Sequence, residues 1–140
     1  MCDDGAGVHV IREIIKHPIY STKAVEIGCA VFDALPLLEE AERILLIDAM
    51  DAGGEPGSVY LCDLSEINNK PIKGSLHHLS VINALHTFGK KRASCIKLIG
   101  IEPDTIDYGL ELSVPVQAAI PKVCEFARTI AHSWITEKAR

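Results

Sequence analysis

The sequence lacks the features that would assign it to a membrane, to a secretory route or to nucleic acid. None of its apolar runs approaches the length of a membrane span. Its acidic N-terminus, MCDDGAG, lacks the basic segment followed by an apolar segment that is typical of a signal peptide. The formal net charge of −5 argues against a nucleic-acid or anionic-membrane partner, because both are bound through basic surfaces. We therefore expect a cytoplasmic protein with neither kind of partner.

Several catalytic and cofactor motifs are also missing. The sequence contains no P-loop, no GxSxG nucleophile turn and no GxGxxG that follows a strand. Its five cysteines are odd in number, and no two of them form a CxxC. This argues against a disulfide framework and against a zinc-finger-type site.

What is present is the composition of one ordinary globular domain. The chain has 140 residues, of which 48% are apolar and 24% charged, enough for a single core and too few for two. Helical periodicity predicts helices at 5–16, 31–41, 75–88 and 113–138. Apolar runs predict strands at 43–48, 57–64 and 95–101, and a further short strand is predicted at 23–27. Because strands alternate with helices, we predict an α/β fold with a mostly parallel sheet between helices.

The stretch 43–57, RILLIDAMDAGGEPG, is the most informative part of the chain. Four apolar residues run straight into Asp48 and predict a strand buried on both faces. A group of glycines and a proline then turns the chain. Ligands of open α/β sheets bind at the carboxyl ends of the strands, which makes Asp48 a candidate metal ligand or catalytic group. The alternative is an Asp that caps the following turn.

Three side chains at element ends could form one site. Asp4 begins the first helix, Asp48 ends a central strand and His77 begins the helix after a long loop. Two carboxylates and an imidazole suit a divalent transition metal, and the same set could act as an acid/base pair. Asp3 is predicted only to cap the first helix. His77 and His78 project about 100° apart on a helix, and the residues alone do not choose between them.

Other residues compete for these roles. His9 and His132 lie within predicted helices and His17 follows one, so we interpret them as surface or satisfied core groups. A nucleophile made from Cys29, which follows a predicted strand, and a histidine is permitted by the sequence. Nothing around Cys29 marks its thiol as activated.

Four segments together resemble the hydrogenase maturation proteases, the endopeptidases that trim the large subunit of [NiFe]-hydrogenases. They are DDGAGVHV at 3–10, LLIDAMDAGGEPGSVY at 45–60, SLHHLS at 75–80 and GIEPDTIDYGLELS at 100–113. The resemblance covers nearly the whole chain and implies a single domain over residues 1–140. It implies a three-layer, phosphorylase/hydrolase-like α/β fold with a twisted, mostly parallel sheet between helices. It also implies removal of a C-terminal extension from the large-subunit precursor after nickel insertion.

The resemblance implies a site as well. The family's metal-binding acid, strand-end Asp and His match Asp4, Asp48 and His77, while His78 takes the place of a usual Gln. The nickel would be supplied by the precursor, so we expect no tightly bound metal of the protein's own. We expect a monomer that binds the hydrogenase large-subunit precursor. The metal could polarise the scissile carbonyl, activate a water or only anchor the substrate.

The sequence departs from the family pattern at its start, and two rival functions are open. Family members begin with a strand and a G-x-G-N turn ahead of the DDG segment, whereas this sequence starts at Met1. We expect either that the start codon was assigned too late or that the chain lacks this strand. The rivals are a nickel-sensing assembly factor that binds the precursor without cutting it, and a cysteine-dependent hydrolase using Cys29 and His77.

Overall fold

The computed structural model describes residues 2–28, 31–63, 96–105 and 111–139. Over these ranges the elements, in chain order, are the 3₁₀ turn Asp3–Gly5, α1 (Ala6–Lys16), α2 (Val31–Glu40), β1 (Ile44–Ala49), β2 (Val59–Asp63), β3 (Ile96–Ile101) and α3 (Val114–Lys138). These bounds lie within two residues of the predicted ones. The predicted helix at 75–88, with His77, His78 and His86, lies outside the described residues, as does Cys29.

The described strands form one sheet in the order β1-β3-β2. β1 and β3 run parallel, with Ile44 opposite Ile96 and Ala49 opposite Ile101. β2 runs antiparallel to β3, so this part of the sheet is mixed. The α/β prediction is confirmed.

Two hydrophobic cores lie on opposite faces of the sheet because alternate strand residues point to opposite sides. Leu45 and Ile47 of β1 pack into the core formed with α1 and α3. Ile44 and Leu46 pack into the second core, which Leu38 of α2 also contacts. The layers are therefore helix, sheet and helix, as predicted.

The core between the sheet and α1 and α3 is the larger of the two. α1 contributes Val10 and Ile14, and α3 contributes Val116 and Val123 at helical spacing. α1 and α3 also pack against each other. No helix in the described ranges has the length and apolarity needed to cross a membrane.

The predicted strand at residues 23–27 is wrong, since this segment has no regular secondary structure. β1 pairs with β3 and is an edge strand of the described sheet. A cavity of about 430 Å³ lies beside β1, lined by Leu45 and Ile47 on the strand and by Lys23 and Ala24 of the segment. A strand exists only when a neighbour shares its hydrogen bonds, and residues 23–27 do not pair with β1.

Candidate active site

Asp48 lies near the carboxyl edge of the sheet. β1 and β3 are parallel and in register, so their carboxyl ends meet, with Asp48 opposite Gly100. The Asp48 side chain is half-buried, and its Oδ1 accepts a hydrogen bond of 2.8 Å from the N–H of Ala49. This is the place where ligands of open α/β sheets bind.

The turn that carries Asp4 packs against the same strand. The 3₁₀ turn Asp3–Gly5 contacts β1, and Gly7, at the start of α1, lies directly on the backbone of Ile47 and Asp48. A Cβ at Gly7 would overlap the carbonyl oxygen of Ile47 and lie 3.2 Å from the Cα of Asp48. Glycine at this position therefore allows the half-buried Asp4 and Asp48 to approach the same edge of the sheet.

Asp3 does not cap the first helix, and the prediction that it does is wrong. Its side chain is fully buried, and neither the 3₁₀ turn nor α1 has a side-chain cap. The carboxylate instead accepts hydrogen bonds from the backbone N–H groups of Asp104 (2.8 Å), Thr105 (3.1 Å) and Ser113 (2.7 Å). Burial by itself raises the pKa of Asp3, but hydrogen bonding, chiefly from these three N–H groups, outweighs burial and leaves the pKa below its usual value.

Glu102 is a second buried acid, and the sequence analysis missed it. It directly follows β3 and is 3% exposed. Its Oε2 accepts the N–H of Ala52 at 3.0 Å, and its Oε1 accepts the N–H of Gly53 at 3.1 Å. Glu102 thus caps the turn after β1, which is the role that the alternative interpretation gave to Asp48. The available signal was an acid placed immediately after a buried apolar strand.

Tyr60 completes the surroundings of Glu102. Burial raises the pKa of the Tyr60 phenol, and the hydrogen bond to Glu102 and the charge of that carboxylate raise it further. Gly54 lies against the Tyr60 hydroxyl, where a Cβ would overlap it. The backbone of Glu102 also bonds to the loop, accepting from Gly57 N–H and donating to Ser58 carbonyl, each at 2.8 Å.

The third predicted ligand, His77, lies outside the described residues, so the predicted trio remains a prediction. Within the ranges that are described, no group of three His, Cys, Asp or Glu side chains could hold a metal ion. His9 and His132 are exposed, as expected for surface histidines. Burial raises the pKa of the Cys124 thiol, which disfavours its thiolate form.

Comparisons with known proteins agree with this architecture. The hydrogenase maturation protease (HycI) family model matches residues 8–130. The hydrogenase expression/formation protein HupD of Rhizobium leguminosarum bv. viciae is 29% identical over 140 residues, covering 94% of this chain and 69% of that protein. The hydrogenase 3 maturation protease of Escherichia coli K12 is 25% identical over 125 residues, covering 88% of this chain and 79% of that protein.

Among solved structures, the [NiFe] hydrogenase maturation protease HybD from Thermococcus kodakarensis superposes with a TM-score of 0.79. It is 29% identical in sequence, and the match covers 94% of this chain and 91% of that one. The family model spans most of the chain and the fold agrees with that of a family member. The chain therefore belongs to the hydrogenase maturation protease family and is, as its relatives are named, a peptidase.

Proposed function

We propose that this protein is the endopeptidase that removes the C-terminal extension of a [NiFe]-hydrogenase large-subunit precursor after nickel insertion. Asp4, Asp48 and His77 bind the nickel already held by the precursor and so place the scissile bond beside the carboxyl edge of the sheet. The protein itself holds no metal tightly, because the precursor supplies the remaining ligands.

The observation that carries the proposal is the packing of the Asp4 turn against the strand that ends in Asp48. Two carboxylates presented from rigid elements are suitable ligands for a divalent ion, and an imidazole would add a nitrogen ligand that nickel favours. Three ligands leave coordination positions open for groups of the precursor. Glu102 caps the turn at residues 52–53, so this turn has a cap other than Asp48. This supports the role of Asp48 as a metal ligand.

The test is a cleavage assay with a purified precursor in nickel-loaded and nickel-free forms. We expect wild-type protein to shorten only the nickel-loaded precursor at its C-terminus, as measured by intact-protein mass. Asp48→Ala should leave the precursor uncut. Asp33→Ala is the matched control, because Asp33 is an exposed acid on α2 and is not one of the proposed ligands. Equal cleavage of both precursor forms would contradict recognition through nickel.

The same assay separates the rival functions. A wild-type protein that binds the nickel-loaded precursor and leaves its mass unchanged would be an assembly factor. A Cys29→Ser variant that loses cleavage while Asp48→Ala retains it would indicate a cysteine-dependent hydrolase. We expect neither result.

A further inference from the structure

Asp3 and Glu102 are the buried charged side chains of the described part of the chain, at 0% and 3% exposure. Each of their hydrogen bonds given above comes from a neutral donor, either a backbone N–H or the Tyr60 phenol. A buried carboxylate is costly unless several donors satisfy it. A buried carboxylate that accepts several hydrogen bonds holds the segments that donate them in one arrangement.

The two acids join segments that lie next to the predicted ligands in the chain. Glu102 holds the N–H groups of Ala52 and Gly53, in the loop that begins immediately after β1. Asp3, the neighbour of Asp4, holds the N–H groups of Asp104 and Thr105. Glu102 and Asp104 are separated only by Pro103, whose ring restricts the backbone between them.

The result is a continuous connection between Asp4 and Asp48. It runs from the loop after Asp48 to the Glu102 carboxylate, along residues 102–105, and through the Asp3 carboxylate to Asp4. A third bond, from Ser113 to Asp3 at 2.7 Å, attaches the start of α3 to the same point. The segment 102–105 therefore serves as a brace between the two ligand-bearing elements.

A carboxylate fits these positions better than an amide does. Its two oxygens accept and do not donate, so one oxygen of Asp3 can take two N–H groups while the other takes a third. An amide of the same shape would direct an NH₂ donor at a backbone N–H. Asn or Gln therefore preserves the volume of the side chain and breaks the brace.

We propose that Asp3 and Glu102 are positioning residues of the processing site, which fix the separation of Asp4 and Asp48 through the 102–105 segment without touching the metal or the substrate. This role rests on the proposed function, because it takes Asp4 and Asp48 as the ligands of the precursor's nickel. If Asp4 and Asp48 are held too loosely, they still bind the precursor but they place its scissile bond poorly. The cost should therefore appear in kcat more than in KM.

The test compares Asp3→Asn and Glu102→Gln with two control variants in the nickel-loaded precursor assay. Asp104→Asn changes an exposed acid in the same segment, whose backbone N–H and not its side chain holds Asp3. Asp51→Asn changes the acid whose Oδ1 makes a longer 3.3 Å contact with the N–H of Gly53. All assays are run at a temperature at which circular dichroism shows that each variant is fully folded.

We expect kcat to fall about 10- to 100-fold in Asp3→Asn and Glu102→Gln, the usual cost of removing a group that orients metal ligands, with KM within about threefold. Both control variants should match wild type. Tyr60→Phe removes one donor from Glu102 and leaves the carboxylate in place, so its loss of kcat should be smaller. If Asp3→Asn does not fold, Glu102→Gln and Tyr60→Phe provide the same comparison.

Three results would overturn the positioning role. They are wild-type kcat in folded Asp3→Asn and Glu102→Gln, a loss confined to KM, and an equal loss in Asp104→Asn. Each of these leaves the proposed function intact, because wild-type protein still cleaves. A wild-type protein that does not cleave nickel-loaded precursor would instead refute the proposed function, and the positioning role with it.

Discussion

Replacing Gly7 by alanine tests the packing that brings Asp4 to the edge of the sheet. The added Cβ would overlap the carbonyl oxygen of Ile47 and lie 3.0 Å from its carbonyl carbon and 3.2 Å from the Cα of Asp48. These are all backbone atoms, so no change of side-chain rotamer relieves the overlap. α1 must move away from β1 to accommodate the methyl group.

The magnitude follows from two opposing effects. Forcing an extra methyl group into a packed interface typically costs about 1–3 kcal/mol. Alanine in place of glycine within a helix returns up to about 1 kcal/mol, and less in the first turn. We therefore expect a net loss of about 1–2 kcal/mol in the free energy of unfolding. For a chain of this size that corresponds to a Tm lowered by roughly 3–10 °C.

The assay is thermal unfolding followed by circular dichroism, together with precursor cleavage at a temperature where both proteins are folded. The control is His9→Ala, an exposed position two residues further along α1, which we expect to leave the Tm and the cleavage unchanged. Gly7→Ala should also cleave more slowly, since moving α1 displaces Asp4 relative to Asp48. A Gly7→Ala protein that melts at or above the wild-type Tm would refute the close approach of α1 to β1.

Four further predictions follow from the same site. Asp48→Ala should abolish cleavage and change the free energy of unfolding by about 1 kcal/mol or less, the usual value of one hydrogen bond; a melt far below wild type would instead indicate a structural role. His77→Ala should eliminate cleavage and metal uptake while His78→Gln keeps most of both, and the reverse result would move the ligand by one residue. Although Asp3 is buried, backbone hydrogen bonds hold its pKa below the value in the unfolded chain. Its ionised form therefore stabilises the fold above about pH 4. This stabilisation is lost as the pH falls through the lower pKa of the folded state. Urea midpoints between pH 5 and pH 2 should therefore fall more steeply in wild type than in Asp3→Asn. Elemental analysis of freshly purified protein should find no stoichiometric, chelator-resistant metal.

The strands at 44–49 and 96–101 were predictable because their signal is local. Each is a short apolar run rich in isoleucine and leucine, which indicates a strand buried on both faces whatever its partner is. The segment at 23–27, KAVEI, is also predicted to be a strand, and it has no regular structure. It does not pair with β1, the edge strand of the described sheet, and a local pattern cannot report whether such pairing occurs.

The candidate site divides in the same way. The sequence correctly predicted the α/β class and the position of Asp48 at a strand end, and through family resemblance it also predicts the ligand set Asp4, Asp48 and His77. The roles of Asp3 and Glu102 became visible only in the tertiary structure, because the N–H groups bound by Asp3 lie 101 to 110 residues away in the chain and those bound by Glu102 lie 49 and 50 residues away. A sequence pattern shows that an acid begins a helix or follows a strand. Which distant N–H groups it meets is determined by how the whole sheet and its helices pack.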